Sequence, residues 1–532
     1  MFLNFWLFIF ALTNQLQLTM FAKTYGGSLT GIDAKPIAVE VNIVQGTGFF
    51  LTGLPDSAVK ESQHRVESAI KSMGYTFPRY KTVVNLAPAD LRKEGAAYDL
   101  AIALGILAAS NQIKIDQLDQ YMIMGELALD GFLRPIKGVL PFAIEARRLG
   151  LKGFILPIQN ANEASIVDKI DIIGVKKMLE AVDFLDGHLE IPPTKKDTRD
   201  IFSYESNNYP FDFSEVQGQE NIKRAMEIAA AGGHNMIMIG PPGAGKTMLA
   251  KRLPTILPPF TLREALETTK VYSVAGKLSK TDSLISRRPF RSPHHTTSDV
   301  AMVGGGGFPQ PGEISLAHNG VLFLDELPEY KRTVLEVMRQ PIEERRVTIS
   351  RARHSIDYPA NFMLVASMNP CPCGYYNHPE KECLCPPGSV QRYLAKISGP
   401  LLDRIDLHVE VTPVGFDQMV STRSNESSEV IRARVMKARE IQHERYQEHE
   451  GIYSNALLGS GLVKKVCQID QAGQLLLKKA MEKLGLSARA YDRILKVSRT
   501  IADLEGSEKI LVAHLAEAIQ YRSLDRDSWG DR

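Results

Sequence analysis

The segment GPPGAGKT, at residues 240–247, constrains the fold more than any other part of this 532-residue chain. It fits the pattern G-x-x-x-x-G-K-[ST], it follows the apolar run MIMI, and a helical pattern follows it. In such a loop the backbone N–H groups face phosphate oxygens, and the lysine, here Lys246, reaches the β- and γ-phosphates. The sequence therefore predicts an α/β unit that binds a nucleoside triphosphate at the end of a buried strand.

The residues predicted to contact the nucleotide form one continuous stretch. They are Gly240, Pro241, Pro242, Gly243, Ala244, Gly245, Lys246, Thr247 and Met248. The run VLFLDE, at residues 321–326, predicts a buried strand that delivers Asp325 to a Mg²⁺ ion shared with Thr247, and Glu326 to the attacking water. Asn369 ends a third apolar strand and is placed to touch the γ-phosphate or that water. An asparagine at a strand end is also a common turn former, which is the alternative interpretation.

The overall charge excludes a globally basic nucleic-acid-binding protein. Lys and Arg together number 63 and Asp and Glu 61, so any contact with nucleic acid must come from local basic patches. Residues 1–19 are apolar, but they have no Lys or Arg before the apolar run, which is too short to span a bilayer. We interpret them as a mis-assigned start or a dispensable extension of a cytoplasmic protein with no membrane partner. A membrane tether is the alternative.

The chain divides into several predicted segments of the α/β class. Residues 20–190 alternate β-like runs with helical patterns, and residues 191–213 are polar and bounded by prolines, which is typical of a linker. Residues 214–414 form a second α/β domain around the phosphate loop. Residues 425–525 are almost entirely helical in pattern.

Long sequence strings in addition to the phosphate loop resemble the AAA+ ATPases, and among them the magnesium-chelatase-like ComM/YifB family. They are FSEVQGQ (213–219), RRPFRSPHHTTS (287–298), GGGGFPQPGEISLAHNGVLFLDE (304–326), NPCPCG (369–374), GPLLDRIDLHVEV (399–411) and LSARAYDRILKVSRTIADL (486–504). The resemblance covers nearly the whole chain from Met20. It implies ATP and Mg²⁺ as cofactors, a helical lid at the C-terminus, and a ring of subunits, expected to be a hexamer.

The resemblance also implies roles for two arginines. Arg404 matches the arginine finger that reaches a neighbouring subunit's nucleotide, and Arg489 matches the sensor-2 arginine of the lid. Guanidinium groups at both positions would neutralise charge on the γ-phosphoryl group. A surface ion pair is the alternative for each, and Arg493 competes with Arg489 for the sensor role.

Two basic segments are candidate DNA contacts in the central channel of such a ring. Residues 287–307 carry His294 and His295 and end in four glycines; a mobile loop over the nucleotide is the alternative interpretation. Residues 344–359 predict a hairpin with a polar tip near residues 350–353. Its cationic residues are Arg345, Arg346, Arg351 and Arg353. A solvated charged hairpin is the alternative.

Four of the five cysteines lie close together in the sequence. Cys371 and Cys373 form one C-x-C pair, and Cys383 and Cys385 form another, a spacing that can close a tetrahedral site for structural Zn²⁺. Reduced cysteines without a metal are the alternative. Cys467 stands alone in a helical pattern and is expected in the core.

Residues 20–190 resemble the S5-like domain of Lon proteases, but without its catalytic dyad. By this resemblance Ala97 stands where the serine nucleophile would be, and Phe142 where the lysine would be. A Ser–Lys dyad needs a hydroxyl in contact with a desolvated amine. We therefore expect no peptidase activity.

The leading expectation is an ATP-hydrolysing, ring-forming DNA motor. The family's implied work is helicase or branch-migration activity on single-stranded or branched DNA during recombination and natural transformation. The alternative is a chelatase-type or protein-remodelling motor subunit that acts with partner proteins.

Overall fold

The computed structural model describes residues 21–113, 117–196, 209–279, 283–306, 309–351, 354–376, 378, 380–415, 425–522 and 524. The chain forms two compact units. One comprises Met1–Ile201 and Thr269–Ile285, and the other comprises Phe202–Thr268 and Ser286–Arg532. The segment Thr269–Ile285, which sequence patterning assigned to the second domain, thus belongs to the first unit.

The first unit is built on a seven-stranded mixed sheet of order β3-β4-β2-β1-β5-β8-β9. Its strands are β1 (Phe21–Thr30), β2 (Asp33–Val44), β3 (Phe49–Thr52), β4 (Lys81–Ala87), β5 (Tyr121–Ile123), β8 (Gly153–Pro157) and β9 (Asp171–Val175), with the short pair β6 (Glu126–Leu127) and β7 (Leu133–Arg134) beside them. Strand β2 alternates buried and exposed residues, with Ile37, Val39, Val41 and Ile43 in the core. This period-two pattern is typical of a strand with one buried face.

Helices cover this sheet. They are α1 (Ser57–Lys60), α2 (Ser62–Ser72), α3 (Asp99–Ala109), α4 (Val139–Arg148), α5 (Ile158–Ala164) and α6 (Met178–Leu185). The helical pattern at residues 56–74 is divided in the structure, and Asp56 caps its first turn by accepting a hydrogen bond from the Val59 N–H at 2.7 Å. Helix α3 is apolar and buried nearly all round. Gly105 in α3 is required, because a Cβ there would lie 2.7 Å from Val41 Cγ2.

The second unit is built on a five-stranded parallel sheet of order β11-β14-β17-β10-β18. Its strands are β10 (Met236–Ile239), β11 (Phe290–Arg291), β14 (Val321–Leu324), β17 (Met363–Met368) and β18 (Leu407–Glu410). Strands β10, β14 and β17 are buried at every position, which explains their continuous apolar sequences. Because parallel strands place their carboxyl ends at one edge, the residues after these strands converge there.

Helices and small ribbons complete the second unit. The helices around the sheet are α7 (Glu220–Gly232), α8 (Lys246–Arg252), α9 (Leu262–Ala275, which continues into the first unit), α10 (Asp299–Val303), α11 (Glu313–Leu316), α12 (Arg332–Val337), α13 (Arg339–Glu344), α14 (Ser389–Leu394) and α15 (Gly399–Leu402). The helices of the C-terminal region are α16 (Ser428–Tyr446), α17 (Ser460–Val466), α18 (Gln471–Leu484), α19 (Ala488–Leu504) and α20 (Val512–Gln520). The two-stranded ribbons are β12 (Gly304–Gly305) with β13 (Gln310–Pro311), and β15 (Arg346–Arg351) with β16 (His354–Pro359).

The predicted hairpin is found close to its expected position, and the predicted linker is described only in part. Residues 191–196 have no helix or strand, residues 197–208 lie outside the described part, and a 3₁₀ helix begins at Phe213 (Phe213–Glu215). The hairpin strands pair antiparallel from Arg346 opposite Pro359 to Arg351 opposite His354. No helix in the described part of the chain combines the length and apolar character that a membrane span needs.

Candidate nucleotide-hydrolysis site

The phosphate loop leaves the carboxyl end of β10 and passes into α8. Gly240 sits where a Cβ would lie 2.4 Å from Val411 O, so the loop can turn there only with glycine. Gly243 and Gly245 adopt positive φ of 79° and 82°. The sequence pattern and the backbone geometry therefore agree on the same tight turn.

The Lys246 ammonium lies between the loop and the neighbouring strand β17. Its Nζ donates to Gly240 O at 2.7 Å, to Pro241 O at 3.0 Å and to Asn369 Oδ1 at 3.1 Å. Burial lowers the pKa of Lys246, and the carboxylates of Asp325 and Glu326 oppose that shift. The structure thus brings Lys246 and Asn369 together, as the order of the parallel strands requires.

The predicted magnesium ligands also meet at this edge. Thr247 Oγ1 donates to Asp325 Oδ2 at 2.7 Å. Ser367, buried in β17, donates its hydroxyl to Asp325 Oδ1. A hydroxyl and a carboxylate oxygen are hard ligands suited to Mg²⁺ beside a triphosphate, so Thr247 and Asp325 fit that role. Sequence reasoning missed Ser367; its signal was a lone hydroxyl within the apolar run MLVASM.

Glu326 follows Asp325 in a left-handed backbone conformation, with φ 53°. It precedes the 3₁₀ helix Leu327–Glu329, and its side chain is 57% exposed. This conformation is strained for residues other than glycine and persists only where the surrounding structure offsets the strain. Such residues cluster at functional sites. His295 Nδ1 lies 3.5 Å from Glu326 Oε2, and the rings of His294 and His295 are tilted by 33° with 4.1 Å between their centroids. The histidine pair predicted to contact DNA therefore lies beside the predicted water-activating carboxylate.

The two predicted transition-state arginines differ in their surroundings. The Arg404 side chain is only 8% exposed; it pairs with Glu343 at 2.8 Å and donates to Pro400 O at 2.6 Å. Arg489 lies exposed in the first turn of α19. Its competitor Arg493 is held by Asp406, with 2.6 Å between the guanidinium nitrogen and the carboxylate oxygen.

Asp406 is a buried junction that sequence reasoning missed. Besides Arg493 it accepts the Asn235 N–H at 3.0 Å, and His234 Nδ1 lies 3.5 Å away. Burial would raise the pKa of Asp406, yet the Arg493 guanidinium and His234 hold it below its usual range. Through Asp406, Arg493 is thereby linked to Asn235, which directly precedes the strand that leads to the phosphate loop.

The four clustered cysteines converge in three dimensions. Their Sγ atoms all lie within 4.8 Å of one another. Cys371 Sγ is 3.3 Å from Cys373 Sγ and 3.7 Å from Cys383 Sγ, and the latter two are 3.6 Å apart. Sulfurs around a tetrahedral zinc ion, each about 2.3 Å from the metal, stand about 3.8 Å apart, so this donor set fits. Gly374 joins the cluster to the phosphate loop, since a Cβ there would lie 2.5 Å from Pro242 Cδ. Cys467 is buried in the core, as expected.

The basic hairpin is described except at its tip. Arg346 is exposed and pairs with Glu344 at 3.4 Å. Arg345 is half-buried at the base, where it donates to Phe362 O at 2.7 Å and burial lowers its pKa. The Arg351 side chain and Arg353 lie outside the described residues. Of the hairpin arginines whose side chains the structure describes, Arg346 is the exposed one.

The protease-like region of the first unit carries no reactive side chain at the two positions inferred from Lon. Ala97 is half-buried just before α3, and Phe142 is buried in α4 against Gly27, where a Cβ would lie 2.5 Å from its ring. Lys93, four residues before Ala97, is fully buried; it donates to Pro88 O and, at 2.7 Å, to Leu91 O. Its amine is thus engaged by backbone carbonyls.

Comparisons with known proteins show the family of this chain. Family models match residues 212–419 (Magnesium chelatase, subunit ChlI), 39–160 (Subunit ChlI of Mg-chelatase) and 425–522 (Magnesium chelatase, subunit ChlI C-terminal). The Competence protein ComM of Haemophilus influenzae is 46% identical over 508 residues, which cover 95% of this chain and 98% of that protein. The chain belongs to the ComM/YifB family of magnesium-chelatase-like AAA+ ATPases. The protein YifB of Escherichia coli is 45% identical over 93% of this chain and 96% of its own length.

The chain is also similar to part of a protease. Lon protease 2 of Bacillus subtilis is 32% identical over 141 residues, which cover 26% of this chain and 24% of that protein. This match agrees with the resemblance to Lon proteases that the sequence indicated.

Proposed function

We propose that this protein is an ATP-hydrolysing, ring-forming motor that moves on DNA, a helicase or branch-migration factor of recombination and natural transformation. One observation carries the ATPase part: at the carboxyl edge of one parallel sheet, Lys246 is hydrogen-bonded to Asn369 and Thr247 to Asp325. The DNA part is supported by the similarity to a competence protein and by the basic hairpin.

In the proposed reaction Lys246 binds the β- and γ-phosphates, and Thr247 with Asp325 would hold Mg²⁺. Bound Mg²⁺ would neutralise charge on the phosphates. Glu326 accepts a proton from a water whose oxygen bonds to the γ-phosphorus, while the bond to the β-phosphate oxygen breaks and ADP leaves. Asn369 lies beside Lys246 and orients this water.

We propose that the ring, expected to be a hexamer, completes this site in trans. Arg404 from one subunit would reach the nucleotide of the next, and Arg489 would close on it from the lid. Arg404 can exchange its partner Glu343 for a phosphate group. Because Glu343 is exposed, its carboxylate would not be left as an unpaired buried charge. If Arg404 acts in trans, mixing Arg404→Ala subunits with Lys246→Ala subunits restores ATPase activity that neither variant has alone.

The hairpin is proposed to bind the DNA backbone through Arg346, Arg351 and Arg353. Replacing Arg351 and Arg353 by alanine should weaken binding to forked DNA and reduce the slope of log affinity against log salt by about 2, because each lost phosphate contact removes about 0.9. Arg147→Ala/Arg148→Ala, which removes the same charge from an exposed end of α4, is the matched control. Equal slopes for both double variants would contradict the assignment.

We propose structural Zn²⁺ at the four clustered cysteines. Four sulfur ligands leave no open coordination position, so the metal would fix the loop that follows Asn369 against the phosphate loop. Protein purified without chelator should hold about one zinc per chain, and Cys373→Ser/Cys383→Ser should lose it. Cys467→Ala is the control and should retain the metal. Zinc-free wild-type protein would contradict this proposal.

A chelatase-type or protein-remodelling motor is the second candidate. The Magnesium-chelatase 38 kDa subunit of Cereibacter sphaeroides is 27% identical over 330 residues, 58% of this chain, which favours it. Strand displacement and four-way-junction migration assays separate the two. ATPase activity that DNA neither stimulates nor uses for unwinding would favour the second candidate.

A further inference from the structure

A polar cavity lies at the amino ends of strands β8 and β9 in the first unit. It has a volume of about 620 Å³ and is open to solvent. Its wall is formed by residues that precede the two strands and by residues 194–196 at the start of the linker. The phosphate loop belongs to the second unit, so this cavity is separate from the proposed hydrolysis site.

The wall of this cavity is rich in lysine. The charged residues that line it are Lys152, Lys169, Lys195, Lys196, Asp168 and Asp171. Four lysines against two aspartates leave a formal excess of two positive charges. Because a concave surface lined by one sign of charge concentrates the electric field, the cavity attracts anions.

The lysine ammonium groups can accept a ligand as their partner. Lys196 Nζ donates to Ser283 Oγ at 3.3 Å, and Lys152 Nζ donates to Gln117 Oε1 at 3.3 Å. Both of these partners are neutral, and among the described residues none of the four lysines forms an ion pair with a carboxylate. Phosphate oxygens can replace neutral partners, because charge-assisted hydrogen bonds are the stronger ones.

The backbone fixes the segments that carry these lysines. Lys169 adopts a left-handed conformation with φ 63°, which a residue other than glycine keeps only where the surrounding structure holds it. The Thr194 N–H donates to Ile172 O of β9 at 2.9 Å, so the residues just before Lys195 and Lys196 are anchored on the edge of the sheet. The cavity is therefore built on the sheet of the first unit.

The lining also indicates the class of anion. Its apolar residues are Val167 and Ile170, and no aromatic side chain is among the described residues that line it. Proteins that bind single-stranded nucleic acid along a groove stack the bases on aromatic side chains, and this cavity offers no such platform. Its volume lies in the range of small-molecule sites. Charge and shape together favour a compact anion with several phosphate groups.

We propose that this cavity binds a compact oligophosphate, a small molecule that carries two or more phosphate groups, through Lys152, Lys169, Lys195 and Lys196. The bound anion would contact both strand ends and the start of the linker, and would thereby hold residues 194–196 against β9. The site is independent of the proposed actions on ATP and DNA.

The test titrates inorganic tripolyphosphate into full-length Lys246→Ala protein in a calorimeter, so that the lysine of the phosphate loop is absent. Adding Lys152→Ala/Lys169→Asn should weaken binding by about tenfold or more, because each lost ammonium removes a charge-assisted hydrogen bond. Asparagine is used at residue 169 because it tolerates the left-handed conformation. Lys464→Ala/Lys465→Ala, which removes two exposed lysines from α17, is the matched control and should leave the affinity unchanged.

Lys195→Ala/Lys196→Ala is a second variant that leaves the loop before β9 intact, and it should weaken binding in the same direction. Thermal unfolding without ligand shows whether either variant has lost its fold. Absence of tripolyphosphate binding by the Lys246→Ala protein, or equal affinities in the cavity variants and the control, overturns the proposal. A single-stranded oligonucleotide is titrated in parallel. If the cavity substitutions weaken binding of the oligonucleotide but not of tripolyphosphate, the cavity binds a nucleic-acid backbone and the assignment to a compact oligophosphate is wrong.

Discussion

The two α/β units of this protein use similar elements and place very different chemistry on them. In the second unit the residues after β10, β14 and β17 include Lys246, Asp325 and Asn369, whose polar atoms converge on one point. In the first unit, whose sequence resembles the S5-like domain of Lon proteases, Ala97 and Phe142 stand at the positions inferred for nucleophile and amine. A fold and its chemistry are therefore separable, and function must be argued from the side chains at the site.

Two buried charged groups of the first unit, Asp99 and Lys93, have partners within that unit. Arg65 donates to both carboxylate oxygens of buried Asp99, at 2.6 and 3.0 Å, and Lys93 is engaged by backbone carbonyls. In the second unit Lys246 and Thr247 also have hydrogen-bond partners. These partners lie where a phosphate and a metal ion would bind. The contrast predicts that substitutions in one unit change catalysis and that those in the other change stability.

The largest effect is expected at Glu326. Glu326→Gln keeps the shape of the side chain but removes the base, so kcat for ATP should fall about a hundredfold or more while ATP binding persists. Single-turnover hydrolysis and binding of a fluorescent ATP analogue measure the two separately. A kcat within threefold of wild type, an approximate threshold, would remove Glu326 from the proposed step.

In the first unit, Phe142→Ala should lower the stability of the protein without changing its catalytic activity. Removal of this buried ring should cost about 3–5 kcal/mol of unfolding free energy, since the cavity cannot fully collapse. Thermal unfolding measures the loss, and the ATPase rate of the folded variant below its transition is the comparison. A peptidase activity lost in Phe142→Ala would contradict the separation of roles.

A smaller and pH-dependent effect is expected at Glu94. Burial raises the pKa of Glu94 to about 7, and one of its carboxylate oxygens is buried without a hydrogen-bond partner in the described structure. Because the folded protein holds this proton more tightly than the unfolded chain, stability falls as pH rises from about 4.5 to about 7. Glu94→Gln stays neutral, so it should exceed the wild type by about 1–3 kcal/mol at pH 8 and by much less at pH 4.5. Parallel stability–pH curves for both proteins would contradict the shift.

Much of the second unit could be predicted from sequence because its signals are local. Continuous apolar runs predicted β10, β14 and β17, and the glycine pattern predicted the phosphate loop between β10 and α8. The paired strands β15 and β16 were predicted from β-branched residues around a polar tip. In each case a short stretch of sequence contains all the residues that determine the element.

The contacts that sequence could not predict join residues distant in the chain. Ser367 on Asp325, Arg493 on Asp406 and His295 beside Glu326 each depend on how separate elements pack. The histidine pair was predicted to contact DNA because its segment, residues 287–307, is basic and is a candidate channel element of the ring that the family resemblance implies. The assignment of Thr269–Ile285 to the first unit likewise has no local signal.

The central claim is that ATP hydrolysis at the Lys246 site drives movement on DNA. It is tested most directly by migration of a four-way DNA junction with ATP, comparing the wild type with Lys246→Ala at equal DNA occupancy. We predict that the wild type resolves the junction into duplex products and that Lys246→Ala binds it without converting it. Equal conversion by both proteins, or none by a wild type that hydrolyses ATP, would contradict the account.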